Sequence, residues 1–171
     1  MKKFYTLMVA LMALVTTATA QSNDNKWGVG VRLGGALEIV GRYSGFGEVA
    51  DKPMYLEARL GTGLNFIPNG TLIAAWECVN FGDSAVGDFS FDAGVAANAG
   101  GLSPTDFFVH AGPMVRLDYT FKKVPVSLGI DWTPYMGIMS GFITCHDEKY
   151  PLTFSWEPMV INFALSCTYN F

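Results

Sequence analysis

Residues 154–171 alternate with the two-residue period of a β-strand, and the alternation holds to the final residue. Met159, Ile161, Phe163, Leu165, Cys167, Tyr169 and Phe171 fall on one face, and Val160, Asn162, Ala164, Ser166, Thr168 and Asn170 on the other. Successive strand side chains point to opposite sides of a sheet, so this run is greasy on one side and mostly polar on the other. A soluble sheet can be built this way, but it rarely ends its chain on an aromatic with no polar tail. The pattern predicts a terminal strand standing in lipid.

The amino-terminal end agrees. Lys2 and Lys3 precede an apolar stretch over residues 4–15, and Ala18-Thr19-Ala20 supplies small residues just before Gln21. This is the pattern of a secretory signal peptide. The stretch is short for a spanning helix, which needs roughly 20 residues. We expect a signal peptide over residues 1–20 and one exported domain over residues 21–171. Half of the chain is hydrophobic and only 15% is charged, yet no later run is long enough for a spanning helix. In hydrocarbon every backbone group must be paired, and the other structure that achieves this is a closed barrel. Without Lys2 and Lys3, nine basic residues face 15 acidic ones, a net charge of −6. That balance argues against nucleic acid as a partner.

Eight strand-like segments follow, over residues 26–34, 36–43, 54–61, 71–81, 89–99, 107–121, 124–138 and 154–171. Most have the roughly 9–11 residues of a tilted spanning strand. An even count places both termini at one end of a barrel. The turn at Lys122-Lys123 is tight, while residues 140–152 form a long polar connection with His146, Asp147, Glu148 and Lys149. Residues 44–53 are expected to be a short turn in this register but are too many for one, and Gly34-Gly35 reads either as a hairpin or as a kink. The fourth segment, with Ile73, Glu77 and Val79 on one face, alternates poorly.

The other faces alternate well. All four arginines, Arg32, Arg42, Arg59 and Arg116, lie within strands on the polar face, with Glu38, Glu57, Glu77, Asp92, Asp118 and Asp131. Lys26, Lys52, Lys122, Lys123 and Lys149 all lie at strand ends or in connections. A water-washed outer face would use lysine freely; a narrow lumen favours the planar fork of arginine, and glycines on the same faces leave it room. Trp27, Tyr119, Phe121, Tyr169 and Phe171, at the ends of apolar faces, suit an aromatic girdle. The expected fold is all-β: an eight-stranded, antiparallel, up-and-down transmembrane β-barrel.

Several phrases carry a family resemblance. They are Trp27-Gly28-Val29-Gly30-Val31-Arg32-Leu33-Gly34, Tyr55-Leu56-Glu57-Ala58-Arg59-Leu60-Gly61, Phe91-Asp92-Ala93-Gly94-Val95, Asp131-Trp132-Thr133-Pro134 and Tyr169-Asn170-Phe171. In order and spacing they resemble the small eight-stranded outer-membrane barrels of the OmpX and OmpA-barrel type, and more nearly an uncharacterised Bacteroidetes family of such barrels. The resemblance implies an outer-membrane address and assembly by the insertion machinery, which reads the terminal aromatic pair Tyr169 and Phe171. It implies no known activity.

An eight-stranded barrel is just wide enough for its interior side chains. The arginines and carboxylates are therefore expected to form a plug, with a structural or surface-interaction role, no catalysis, no cofactor and no metal. Outer-membrane lipid is the expected surrounding and the chain is expected to be a monomer. A cation-selective conduit is the alternative use of a lumen with more acids than arginines. Catalysis on lipid A or phospholipid esters would need a nucleophile, a base and an orienting acid within reach. The candidates are His110 with Asp92, Asp131, Ser90 and Ser127. A loop metal site at His146, Asp147 and Glu148 has no second ligand cluster. Cys78, Cys145 and Cys167 are expected to form no intrachain disulfide, because the strand assignment places them too far apart; Cys145 is the candidate for an intermolecular bridge. A soluble, lipocalin-shaped binder with its apolar face inward is the remaining alternative.

Overall fold

A computed structural model describes residues 26–63, 66–83, 86–103, 106–141, 158–159 and 162–171. The proposed signal peptide, Cys145, the His146 cluster and most of the long connection lie outside the described residues. The strands are β1 (Trp27–Leu33), β2 (Ala36–Val49), β3 (Lys52–Gly63), β4 (Pro68–Asp83), β5 (Gly87–Ser103), β6 (Asp106–Phe121), β7 (Val126–Trp132), β8 (Tyr135–Gly141), β9 (Pro158–Met159) and β10 (Phe163–Asn170). β1 to β6 pair antiparallel in chain order, β6 pairs with both β7 and β8, β8 with β9 and β7 with β10, and β1 pairs with β10 from Gly28↔Asn170 to Leu33↔Leu165. That last pairing closes the sheet. β7 and β8 both lie against β6, and β9 and β10 continue the same order, so ten segments make eight staves. The fold is a closed, eight-stranded, antiparallel barrel.

Both chain ends of the described barrel meet at one rim, called here the near end. There Trp27 donates its backbone N–H to the Phe171 carbonyl and Phe171 donates back to Trp27. The far end carries the Gly34-Gly35 turn, which is a true hairpin, with Leu33 opposite Leu37.

The 44–53 segment is likewise strand and not loop. β2 runs on to Val49, and Ala50-Asp51 alone makes the reversal to Lys52. Both turn residues have positive φ, 51° and 61°, the geometry of a two-residue hairpin turn that matches strand twist. Alanine is a poor marker for that conformation, which is why the turn escaped sequence reasoning. A register shift between Tyr43 and Gly47 also breaks the alternation just before it.

The poor fourth segment has a similar cause. Thr71, Ile73 and Ala75 are buried and Glu77 follows them inward, but the pairing with β5 slips between Glu77 and Val79. Cys78 occupies the bulge, and Val79 is turned to the outside. One extra residue flips every later side chain to the opposite face. Ile73, Glu77 and Val79 therefore do not share a face.

One seam of the wall is thin. Val115↔Trp132 and Ala111↔Met136 bracket a stretch in which Pro113 stands opposite Pro134. Proline has no N–H to give a ladder, so two facing prolines leave the pairing interrupted there. Gly112 completes the arrangement, because a Cβ on it would collide with the Pro134 carbonyl.

Candidate functional site: the charged lumen

The period of two decides what enters the lumen. Arg32 of β1, Glu38 and Arg42 of β2, Glu57 and Arg59 of β3, Asp92 of β5, Arg116 and Asp118 of β6 and Asp131 of β7 all point inward and are buried. The apolar partners of the same strands face out, with Leu60 and Leu72 each 68% exposed and Val95 62% exposed. This is the reverse of a lipocalin-like arrangement, in which the apolar face would line a cavity. The sequence alternative of a soluble binder with an apolar interior is therefore not the fold observed.

Glu57 and Asp131 are the two hubs. Arg116 makes a two-pronged contact with Glu57, Nη1 to Oε2 and Nη2 to Oε1, both 2.7 Å. Arg59 Nε donates to Glu57 Oε1 at 2.6 Å and Arg42 Nε to Oε2 at 3.0 Å. Asp131 accepts Arg32 through Nε at 3.0 Å and Nη2 at 2.7 Å, and Arg59 through Nη1 at 3.3 Å. Arg32 Nη1 also reaches Glu38 at 2.6 Å, and Arg42 Nη1 reaches Asp118 at 2.9 Å. The planar fork of arginine can hold two carboxylates at once in fixed directions, which a lysine cannot do. Five strands are thereby tied across the lumen.

Tyr55 extends the network. Its hydroxyl donates to Asp92 Oδ2 at 3.0 Å, and the Arg42 guanidinium lies 4.6 Å above its ring. The geometry is that of a cation–π contact. Asp92 Oδ1 and Arg116 Nε, on residues directly opposite each other, are buried without a hydrogen-bond partner among the described residues. Gly129 gives the network space, since a Cβ there would strike the Asp118 carboxylate. Nine of the ten expected lumen charges thus belong to one linked set. The tenth, Glu77, is inward-facing and half-buried beside the bulge, opposite Asp92.

An apolar layer lies next to the charges and was not foreseen. Tyr55, Ile73, Ala75, Ala96, Met114 and Tyr135 form a buried cluster inside the barrel. Met114 and Ala96 sit on faces that read as polar, and the bulge in β4 hid the phase of Ile73. Their signal was the strand phase itself, since any residue in step with Arg116 or Asp92 must enter the lumen.

The enzyme candidates are not assembled. His110 stacks on Phe108 at 4.7 Å and lies 6.2 Å from the Tyr135 ring, toward the far end. Ser127 bonds Thr120 at 2.9 Å, ten residues along β6 from His110 and close to the near end. Asp131 and Asp92 are taken by arginines and Tyr55. Ser90, opposite Asp118, also lies on the near-end side. A nucleophile–base pair needs hydrogen-bond distance, and this set does not reach it. Among the described residues no group of three metal-ligating side chains converges. Cys78 and Cys167 are free thiols, Cys167 exposed on the outer face and Cys78 half-buried in the bulge.

The expected girdle residues share the near end. Trp27 contacts Tyr43 at 4.7 Å, Tyr119 contacts Phe121 at 4.8 Å, and Tyr169 lies 6.4 Å from Phe171. Phe89 joins them, 4.6 Å from Tyr119. No protein-family model, no curated protein and no solved structure matches the chain.

Proposed function

We propose that this chain is a small outer-membrane barrel whose lumen is closed by its ion-pair plug, exported after cleavage before Gln21. Its role in this reading is structural or one of surface interaction through the far-end connections, without catalysis. The observation that carries the proposal is the inverted distribution of polarity. Charges fill the inside, while large apolar side chains face outward on every stave. A soluble protein rarely exposes a contiguous apolar patch above a few hundred Å², whereas a bilayer requires such a belt. The near-end girdle of Trp27, Tyr43, Phe89, Tyr119, Tyr169 and Phe171 supports the same reading, because amphipathic rings favour the membrane–water boundary. So does the resemblance to OmpX-type and OmpA-type barrels, under which the insertion machinery would read Tyr169 and Phe171. The plug argues against a conduit, since Arg32, Arg59 and Arg116 are almost completely buried by one another's partners.

The test is refolding of residues 21–171 with and without phospholipid vesicles, followed by circular dichroism and by gel migration before and after boiling. A heat-modifiable β-rich species that forms only with lipid is expected, with no unitary conductance in a planar bilayer. A stable β-rich monomer in lipid-free buffer would overturn the membrane reading. Regular current steps would overturn the closed lumen.

A further inference from the structure

The outer face of the barrel is not uniformly convex. A furrow of about 410 Å³ crosses it, lined almost wholly by apolar side chains. One bank is a single cross-strand row: Val31 of β1 pairs Cys167 of β10, Cys167 pairs Leu128 of β7, Leu128 pairs Tyr119 of β6, and Tyr119 pairs Phe89 of β5. The other bank is the next outward row, from Leu33 to Leu117. Between the banks the floor drops to Gly129 and Ser166, where no bulky outward side chain stands. Four inter-strand steps of about 4.8 Å make the furrow about 19 Å long, the reach of a long acyl chain.

Its course gives it two different ends. Leu33 is the last residue of β1, next to the far-end turn, whereas Phe89 is the third residue of β5 and lies in the near-end girdle. The furrow therefore descends obliquely through the apolar belt and opens among aromatic rings. Just beyond that opening is the β6–β7 turn with Lys122 and Lys123, both exposed. Lys122 stands 3.4 Å from Asp88, the neighbour of Phe89. An apolar trough with ammonium groups at its interfacial mouth fits an amphiphile with an anionic head.

We infer that the furrow holds one anionic glycerophospholipid, an acyl chain lying between the two banks and the phosphate at Lys122 and Lys123. The inference rests on the membrane reading above. It goes beyond it by naming one lipid chemistry and one place on the barrel. Asp88 offsets part of the charge at Lys122, so Lys123 supplies the larger share of headgroup selection. A zwitterionic lipid of the same chain length fills the furrow equally well but gains less at the mouth.

The experiment is native mass spectrometry of the folded chain extracted from vesicles of equal parts phosphatidylglycerol and phosphatidylcholine. One retained phosphatidylglycerol per barrel is expected, favoured about tenfold over phosphatidylcholine. Cys167→Phe, which fills the furrow from its outer face, should lose the retained lipid. Ala58→Phe, an outward substitution on β3 away from the furrow, should keep it. K122Q/K123Q should still retain lipid but with the headgroup preference lost. Equal retention of both lipids by the unaltered chain would overturn the inference without any variant, as would full retention in folded Cys167→Phe. Failure of the membrane reading is a separate result, recognised beforehand by folding in lipid-free buffer.

Discussion

Glu57→Gln is the perturbation that most directly tests the plug. The Glu57 carboxylate is fully buried and accepts four charge-assisted hydrogen bonds, two from Arg116 and one each from Arg59 and Arg42. Glutamine has the same shape but only one acceptor oxygen, and its amide NH2 must face guanidinium donors. About two of the four bonds are lost, at about 1.5–3 kcal/mol each for bonds to charged groups. The three arginines also lose their shared counter-charge at a buried site. The two bonds alone come to about 3–6 kcal/mol, which overlaps the about 3–5 kcal/mol for breaking a buried ion pair from one side, and about 3–5 kcal/mol is the expected cost. The loss should be partly recovered in E57M/R116M, because an apolar pair removes the uncompensated cation along with the acid. The assay is equilibrium denaturant unfolding in vesicles, read by tryptophan fluorescence, with gel migration as a second probe. A Glu57→Gln barrel within about 0.5 kcal/mol of the parent, the size of an ordinary surface change, would refute the hub.

Three further outcomes are expected. Gly112→Ala should destabilise by about 1–3 kcal/mol, as overpacking does, because its Cβ meets the rigid Pro134 carbonyl; unfolding midpoints report it. Ala50→Gly should stabilise by about 1 kcal/mol, relieving a left-handed alanine whose φ is 51°. Cys167 should resist a water-soluble maleimide in vesicles and react in denaturant, as peptide mapping would show; equal labelling in both would place the outer face in water.

The lumen composition was legible in the sequence because a strand has only two faces. Once Arg32, Arg59 and Arg116 are in step with glycine and serine and out of step with valine and leucine, their common destination follows from the pleat. That argument fails wherever the step is broken. The slip at Cys78 makes β4 read as a weak strand, and the shift between Tyr43 and Gly47 makes the end of β2 read as a connection. The Ala50-Asp51 turn was missed because neither residue advertises a left-handed backbone as glycine or asparagine does.

Which charge meets which was beyond the sequence altogether. Arg32 and Asp131 are bonded although 99 positions separate them, because closure of β1 on β10 brings β7 within reach of β1 across the lumen wall. The same closure sets Pro113 against Pro134, buries Met114 in an apolar layer among charges, and aligns Val31, Cys167 and Leu128 into a furrow. Alternation along the chain is a local property, set by backbone geometry one residue at a time, and the sequence alone determined it. Partnership depends on register and on which edges join, and those arise only when eight staves close and every inward side chain must share one narrow volume.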